Sequence, residues 1–195
     1  MSKPFLITGL PRSRTAWMAA VCVTARSSCE HEPIRHMETW RDVYDLWRSP
    51  GKEFIGVSDS TMGFHLGEIL DVAKPRTLII DRPLHEVQIS SSALGVAIHS
   101  NILKILRDRI APFWCHPLVA VVSYNDLKNS DIVAACLRHL MPGLLVDIDL
   151  IDKMQDQNIQ VDFWSYARDF SAREKDFPKL FGQDVVNAIN AIGKM

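Results

Sequence analysis

The stretch that decides the fold, Phe5–Trp17, reads FLITGLPRSRTAW. Its first residues, Phe5–Thr8, are apolar or β-branched and predict a buried strand that ends at Gly9. A short loop, Leu10–Thr15, follows, and apolar residues then recur at helical spacing from Ala16 onward. A strand, a tight loop and a helix start in this order present unpaired backbone N–H groups and the positive end of a helix dipole. The stretch therefore predicts a binding site for an anion.

The side chains of this loop support the same prediction. Two arginines, Arg12 and Arg14, and two hydroxyl groups, on Ser13 and Thr15, lie within six residues. Arginine forms charge-assisted hydrogen bonds with the oxygens of such anions. The loop is not a Walker A motif, because Arg14 and Thr15 stand where that motif has its second glycine and its lysine. We therefore expect a phosphate or a sulfate ester here, and ATP hydrolysis is not the natural interpretation.

Composition indicates an ordinary globular chain. Of 195 residues, 47% are hydrophobic and 23% charged, and the formal net charge is −1, so no global field favours nucleic acid or an anionic membrane. No apolar stretch approaches the ~20 residues of a membrane span, and the N-terminus lacks a signal-peptide pattern. Four scattered cysteines without CxxC spacing favour reduced thiols. We therefore predict a cytoplasmic protein with neither a nucleic-acid nor a membrane partner.

Strand and helix patterns alternate along the chain. The predicted strands are Phe5–Thr8, Phe54–Val57, Thr77–Ile80, Leu118–Ser123 and Leu144–Ile148. The predicted helices are Met62–Ala73, Val87–Arg109 and Leu127–Leu140. This alternation predicts an α/β fold with a doubly wound, mainly parallel sheet flanked by helices.

In such a sheet, ligands bind beyond the carboxyl ends of the strands. Pro11–Thr15, Ser58–Ser60 and Asp81–Arg82 each follow a predicted strand, so all three segments should face the same edge. The strand pattern fades after about Asp149. Aromatic residues among charges in 163–170 predict short helices or a cover, and 185–192 predict a final amphipathic helix. We expect a single domain over 1–195, with a core at 4–149 and a helical C-terminal cover at 150–195.

The first loop resembles the 5′-phosphosulfate-binding loop of the sulfotransferase family, usually Pro-Lys-Ser-Gly-Thr-Thr-Trp. Here the loop stands as Pro11, Arg12, Ser13, Arg14, Thr15, Ala16 and Trp17, with arginine in place of both lysine and glycine. The resemblance implies a P-loop-like, sulfotransferase-like fold in which these residues hold 3′-phosphoadenylyl sulfate (PAPS). For Trp17 it implies stacking on adenine, while packing in the core is the alternative.

The segment 78–90, LIIDRPLHEVQIS, resembles a second sulfotransferase motif. In that family a strand ends in an arginine, and a serine follows eight positions later; together they hold the 3′-phosphate of PAPS. Arg82 and Ser90 have this spacing, and Glu86 sits where the family has aspartate. The alternative for Arg82 is a surface ion pair with Glu86, which would be common and weak.

A third segment, 121–127, resembles the family's strand and Tyr-Glu-Asp-Leu turn, and we expect it to order the fold without a chemical role. The resemblance spans Phe5 to about Leu145. Cytosolic sulfotransferases complete the 3′-phosphate site with a C-terminal Arg-Lys-Gly loop that this sequence lacks. Arg168, Arg173 and Lys175 are candidates to replace it.

Sulfuryl transfer to a hydroxyl needs a base for the acceptor proton and donors that neutralise charge on the leaving phosphate. The arginines and hydroxyls of the loop suit the second role. For the base, the segment 29–33, CEHEP, follows the first helix and is a candidate for a short strand. Members of the family that act on carbohydrates carry Glu-Pro here and use a glutamate. We therefore rank Glu32 first, His31 second and Asp59 third.

The leading hypothesis is a PAPS-dependent sulfotransferase acting on a hydroxyl of a small molecule or a carbohydrate. One alternative is a P-loop-like kinase or phosphotransferase, for which Asp59 and Asp81 are candidate Mg²⁺ ligands. Another is a non-catalytic nucleotide-binding module with the same fold. The spacing of histidines and cysteines does not match a standard zinc site, so no metal is expected.

Overall fold

Five parallel strands form one sheet in the part of the chain described by this computed structural model, which is residues 2–93, 100–157, 159, 174–184 and 186–187. The strands are β1 (Lys3–Gly9), β2 (Ser27–His31), β3 (Phe54–Ser58), β4 (Arg76–Asp81) and β5 (Val119–Ser123). Their order across the sheet is β2-β3-β1-β4-β5. The predicted α/β fold with a parallel sheet is confirmed.

Helices connect successive strands, and others follow β5. They are α1 (Thr15–Val21), α2 (Val43–Arg48), α3 (Leu66–Val72), α4 (Leu84–Ser92), α5 (Ser100–Ile110), α6 (Ser130–Leu140) and α7 (Ile148–Gln155), with a short helix at Phe177–Phe181. Single 3₁₀ turns occur at Pro33–His36, Trp40–Asp42, Thr61–His65, Ala111–Phe113, Asp126–Lys128 and Glu174–Asp176. Within the described residues, no helix is long and apolar enough to cross a membrane.

The sheet is buried on both faces. Leu6 and Ile79 lie in one apolar cluster with residues of α2–α5 and the short C-terminal helix. Phe5 and Ile7, which alternate with Leu6 along β1, lie in a second cluster with residues of α1, α6 and α7. Continuous apolar strands such as Phe5–Thr8 are what a sheet covered on both faces requires. Packing from two sides fixes the central strands, and with them the loops at their carboxyl ends.

The predicted strand Leu144–Ile148 is wrong. Residues 144–147 have no regular secondary structure, and α7 begins at Ile148. The Asp147 carboxylate accepts a hydrogen bond from the Leu150 N–H at 3.1 Å, which is a helix N-cap. The apolar run therefore ends in a capped helix, whose Ile151 packs in the second cluster.

The helical pattern Val87–Arg109 corresponds to α4 and α5, which lie on either side of residues 94–99, outside the described part. The predicted helix Met62–Ala73 begins as the 3₁₀ turn Thr61–His65 and continues as α3. The aromatic segment 163–170 and most of the amphipathic segment 185–192 also lie outside the described residues. The division at residue 149 into core and cover stays a prediction.

Candidate active site

The loop Gly9–Thr15, called the anion loop below, joins β1 to α1 at the carboxyl edge of the sheet. Gly9 has a φ of 153°, and a Cβ at this position would press on the Ile80 carbonyl oxygen of β4. Arg12 and Arg14 both adopt left-handed conformations, with φ of 66° and 61°. Left-handed residues in a turn build the backbone concavities that bind anions. The backbone of the loop is therefore folded in a way that suits an anionic ligand.

Two polar atoms of the anion loop are buried without a hydrogen-bond partner in the described part of the chain. They are the Ser13 Oγ and the Arg12 Nε, and Ser13 is completely buried. Buried polar groups are normally paired, because an unpaired one costs about 1–3 kcal/mol. Two unpaired donors on neighbouring residues are suited to an anionic ligand.

Arg14 and Trp17, the other large side chains of the predicted motif, hold the loop to the fold. Arg14 donates hydrogen bonds to the Leu127 carbonyl at 3.3 Å and to the Gln155 Oε1 at 3.1 Å. Trp17 is 4% exposed, and its indole N–H donates to the Met154 carbonyl at 2.8 Å. The resemblance implied that Trp17 stacks on adenine, and the alternative was packing in the core. These contacts are those of a residue packed in the core.

Strands β2 and β3 bring the predicted base candidates to the anion loop. The Ser58 hydroxyl at the end of β3 donates to the Thr15 carbonyl at 2.9 Å, and the Glu32 N–H donates to the Ser58 carbonyl at 2.8 Å. His31 at the end of β2 places its Nε2 3.4 Å from the Thr15 Oγ1 and 3.8 Å from the Glu32 Oε1. The segment predicted as a candidate strand therefore forms an edge strand that ends beside the loop.

Asp59, the third candidate, directly follows β3 and is 1% exposed. Its Oδ1 accepts hydrogen bonds from the Thr61 N–H at 2.8 Å and from the Thr61 hydroxyl at 2.5 Å. Its buried Oδ2 makes no hydrogen bond of normal geometry among the described residues, but the backbone N–H groups of Ile34 and Met62 also act on the carboxylate and lower its pKa. Asp59 is thus a buried carboxyl group whose orientation is fixed by Thr61. We call His31, Glu32 and Asp59 the titratable cluster.

Burial shifts the pKa of every member of the titratable cluster. Burial and, to a smaller extent, the Asp59 carboxylate together raise the pKa of Glu32 to about 8, against the opposing effects of Arg35 and Arg12. Burial raises the pKa of Asp59 to about 6 and, with Arg35, lowers the pKa of His31 to about 4. In the free protein at neutral pH, Glu32 is mostly protonated, Asp59 mostly ionised and His31 neutral. Clustered shifts of this kind are typical of catalytic sites.

Arg82 directly follows β4 and contacts both the anion loop and side chains that follow β4 and β5. Its Nη1 donates a hydrogen bond to the Arg12 carbonyl, its Nε lies 3.4 Å from the Glu86 Oε2, and its side chain is 12% exposed. Its guanidinium stacks 3.9 Å from the centroid of the Tyr124 ring. The ion pair with Glu86 is therefore present, together with a direct bond to the anion loop. Burial and the charge of Arg82 together lower the pKa of Arg12.

Ser90, predicted to act with Arg82, lies on α4 and is half-buried. Among the described residues, its hydroxyl makes no hydrogen bond to Arg82 or to the anion loop. Of the three candidates to replace the C-terminal loop, only Lys175 lies in the described part, where it is exposed. Their roles stay predictions.

Tyr124 lies at the candidate site, although the sequence predicted no role for it beyond ordering the fold. Its N–H donates to the Asp81 carbonyl at 2.8 Å, extending the pairing of β4 with β5 by one residue. Its ring therefore faces Arg82 and lies 5.9 Å from the Arg14 guanidinium. The pairing of β5 with β4 determines this position of the Tyr124 ring. The sequence does not show that β4 and β5 are neighbours in the sheet, so it could not predict the contact between Tyr124 and Arg82.

An apolar cavity of about 140 Å³ adjoins the anion loop. Its described lining residues are Pro11, Ser60, Thr61, Phe64, Ile102, Leu103, Leu106 and Phe181. Pro11 belongs to the loop, and Ser60 and Thr61 follow Asp59. In the described ranges, no group of three or more histidine, cysteine, aspartate or glutamate side chains is arranged to hold a metal ion.

Comparison with solved structures finds a similar fold in the crystal structure of a sulfotransferase from Alicyclobacillus acidocaldarius. The TM-score is 0.56 at 11% sequence identity, and the match covers 92% of this chain and 94% of that chain. The likeness confirms the predicted sulfotransferase-like fold. Comparison of the sequence with models of protein families gives no match, and comparison with curated proteins gives none either.

Proposed function

We propose that the protein is a sulfotransferase that moves a sulfuryl group from PAPS to a hydroxyl of a small molecule or a carbohydrate. One observation carries the proposal. An anion loop with unpaired donors on Arg12 and Ser13 lies beside the titratable cluster, whose members are partly or fully buried. Sulfuryl transfer to a hydroxyl requires both the binding of an anion and the removal of a proton.

PAPS supplies a sulfuryl group whose S–O bond to the phosphate breaks, leaving the electron pair on the phosphate, as the acceptor oxygen bonds to sulfur. Arg12 and Ser13 donate hydrogen bonds to the phosphate, where negative charge develops. The tight backbone of the anion loop holds these donors in place before the reaction, so little reorganisation is needed.

Glu32 takes the proton of the acceptor hydroxyl in this proposal. Partial burial limits the access of water to the carboxyl group, and the nearby Arg12 and Arg35 favour its ionised form. A general base must be deprotonated to act, so the raised pKa of Glu32 makes activity depend on pH. Asp59 and His31 remain alternatives, and their different pKa values allow a test that is described in the Discussion.

Arg82 and Ser90 bind the 3′-phosphate of the nucleotide in the proposal, following the sulfotransferase motif. Arg82 can do so by exchanging its 3.4 Å contact with Glu86 for a phosphate oxygen while its ring contact with Tyr124 is kept. A charge-assisted hydrogen bond to phosphate is stronger than an ion pair this long.

A thermal-shift titration with nucleotides tests the proposal. A ligand that binds only the folded protein raises its melting temperature. Adenosine 3′,5′-bisphosphate, the product of PAPS, is expected to stabilise the protein more than AMP or ADP does, without Mg²⁺. Stabilisation by ATP with Mg²⁺, but not by the bisphosphate, would favour the kinase-like alternative. Failure of every nucleotide to stabilise the protein would contradict the proposal and favour the non-catalytic module.

A further inference from the structure

The ring of His31 lies between the anion loop and Glu32. Its Nε2 is 3.4 Å from the Thr15 Oγ1 and 3.8 Å from the Glu32 Oε1. Hydrogen bonds of catalytic groups are often long in a free enzyme and shorten once the ligand binds. One nitrogen atom of the ring therefore faces both the loop that is proposed to bind the anion and the carboxyl group that is proposed to take the proton.

A single buried residue, Ser58, holds the backbone around this ring. The Ser58 hydroxyl donates to the Thr15 carbonyl at 2.9 Å, and the Ser58 carbonyl accepts from the Glu32 N–H at 2.8 Å. Ser58 and His31 are paired in the register of β3 and β2. Ser58 is completely buried, and Glu32 has a φ of 50°, a left-handed conformation that few non-glycine residues adopt. The fold thus fixes the positions of Thr15, His31 and Glu32 relative to one another.

The His31 ring carries a single N–H at neutral pH. Burial and, to a smaller extent, the charge of Arg35 lower the pKa of His31 to about 4, so the imidazole is uncharged above about pH 5. A neutral imidazole has one nitrogen that donates a hydrogen bond and one that accepts. The groups that the two nitrogens face determine which of them holds the proton.

Both neighbours of the His31 Nε2 are acceptors in the state that the proposed reaction requires. A phosphate oxygen only accepts, so a Thr15 hydroxyl bound to it gives its proton to the anion and offers only its oxygen to the ring. Glu32 acts as the base in its ionised form, which also only accepts. The ring proton therefore belongs on Nε2, and Nε2 then has no lone pair with which to take a proton itself.

We infer that His31 is a positioning residue, whose Nε2–H donates to the Thr15 Oγ1 and thereby directs the Thr15 O–H toward the anion in the loop. The inference rests on the proposed function, because it requires an anion bound at Thr15, and it gives His31 a role other than that of the base. The uncharged ring orients the hydroxyl without adding a charge beside the reacting groups.

Calorimetric titration with adenosine 3′,5′-bisphosphate tests the inference. His31→Leu removes a neutral hydrogen bond and is expected to weaken binding about 2- to 12-fold. His31→Gln places an amide N–H near the position of Nε2 and should bind like wild type. Thr15→Val removes the hydroxyl, and adding His31→Leu to it should weaken binding no further. His36→Gln is the matched control, because His36 follows the same strand and is exposed.

Nitrogen NMR of protein labelled in its histidine rings gives a readout that a purely structural role would not change. Protonated and unprotonated ring nitrogens have distinct resonances, and the signals of His31 are those missing from His31→Gln. At neutral pH the bisphosphate is expected to bring the His31 proton to Nε2 in the wild-type protein. In Thr15→Val it should leave the distribution of that proton unchanged. Melting temperatures without ligand show that each variant has folded.

The outcomes separate the inference from the proposed function. The inference is wrong, and the proposed function stands, if the bisphosphate binds but Nε2 carries no proton in the complex. The same holds if His31→Leu binds like wild type, if His31→Gln and His31→Leu lose equal affinity, or if His31→Leu weakens binding equally without the Thr15 hydroxyl.

Transfer from PAPS supplies a further contradiction of the inference. A loss of rate of 100-fold or more in His31→Gln, as expected for a general base, would make His31 the base. If the bisphosphate does not bind to the wild-type protein, the proposed function fails, and the inference fails with it. Recovery of affinity in His31→Gln, together with a proton on Nε2 in the complex, would support the inference.

Discussion

The two sides of the carboxyl edge differ in how completely their polar groups are paired. On the side of β2 and β3, the titratable cluster is largely buried and its pKa values are shifted, and in the anion loop beside it the Arg12 Nε and the Ser13 Oγ have no partner in the described part of the chain. On the side of β4 and β5, Arg82 already contacts the Arg12 carbonyl, the Glu86 carboxylate and the Tyr124 ring. The first side therefore holds hydrogen-bond donors without a partner, whereas Arg82 on the second side already has several contacts.

This difference predicts a division of labour. Preorganised groups without partners stabilise charge and protons in the transition state at little cost of reorganisation, so substitutions on the first side should change the rate. A ligand on the second side has to replace existing contacts, so substitutions there should change affinity for the nucleotide. The predictions below test that division.

The largest effect is expected from Glu32→Gln. The variant keeps the size of the side chain but cannot take a proton, and loss of a general base lowers the rate roughly 10²–10⁴-fold. Single-turnover transfer from PAPS measures the loss, and bisphosphate affinity should be unchanged. Glu30→Gln is the matched control, because Glu30 is two residues earlier on β2 and exposed. Equal rates in the two variants would remove Glu32 from the base role.

The pH profile of kcat/KM separates the three base candidates, because it reports the pKa of the free enzyme's essential base. A base acts when deprotonated, so activity rises as pH rises through its pKa. The rise should fall near pH 8 for Glu32, near pH 6 for Asp59, and below about pH 5 for His31. We expect the rise near pH 8, and its absence in Glu32→Gln. A wild-type profile that is flat between pH 5 and 9 would point to His31.

Arg12→Ala should come next. Removing one preorganised donor to a developing charge costs roughly 3–4 kcal/mol, or about 10²–10³-fold in kcat. Arg12 is half-buried and its carbonyl accepts a hydrogen bond from Arg82, so its replacement can also affect the stability of the fold. Melting temperature without ligand therefore has to be measured beside the rate. Arg12→Lys keeps the charge and should retain more activity, whereas similar losses in both variants would indicate a structural role.

Most of the fold was predictable because the central strands are continuously apolar. Phe54–Val57 and Thr77–Ile80 fall inside β3 and β4, which are covered on both faces. The polar edge strand Ser27–His31 carries little of this pattern, and it was predicted only as a candidate. The wrongly predicted strand Leu144–Ile148 is the opposite case, because there an apolar stretch was present but no strand formed. An apolar stretch alone does not distinguish a strand from a segment that leads into a capped helix.

Local motifs and the geometry of parallel strands were sufficient to predict which segments form the candidate site. Three segments that follow strands do meet at one edge, and His31 and Glu32 do lie at the anion loop. The exposure of these side chains and their hydrogen-bond partners could be determined only from the three-dimensional structure. No spacing rule shows that Glu32 becomes a buried acid with a raised pKa, or that Arg82 bonds to the Arg12 carbonyl. The contact between Tyr124 and Arg82 was not predicted for the same reason.

Arg82→Ala should change affinity more than rate. Losing a hydrogen bond to a charged group costs about 1.5–3 kcal/mol, so the preference for adenosine 3′,5′-bisphosphate over AMP should fall about 10- to 100-fold. Calorimetric titration with both nucleotides measures the preference. Arg76→Ala is the control, since Arg76 lies at the opposite end of β4 and is exposed. If turnover at saturating PAPS falls as far as in Arg12→Ala, the bond from Arg82 to the loop serves the chemistry, and the two sides do not act separately.

The smallest effect is expected at Tyr124, whose ring supports the Arg82 guanidinium at 3.9 Å. A cation–π contact near the surface contributes roughly 0.5–1 kcal/mol, so Tyr124→Leu should weaken bisphosphate binding about two- to fivefold. Tyr124→Phe keeps the ring and should bind like wild type, whereas equal weakening in both variants would assign the effect to the hydroxyl. Combining Tyr124→Leu with Arg82→Ala completes a double-mutant cycle. If Tyr124 acts through Arg82, the leucine substitution has no further effect once the guanidinium is gone. An undiminished effect would mean that the ring contacts the nucleotide directly.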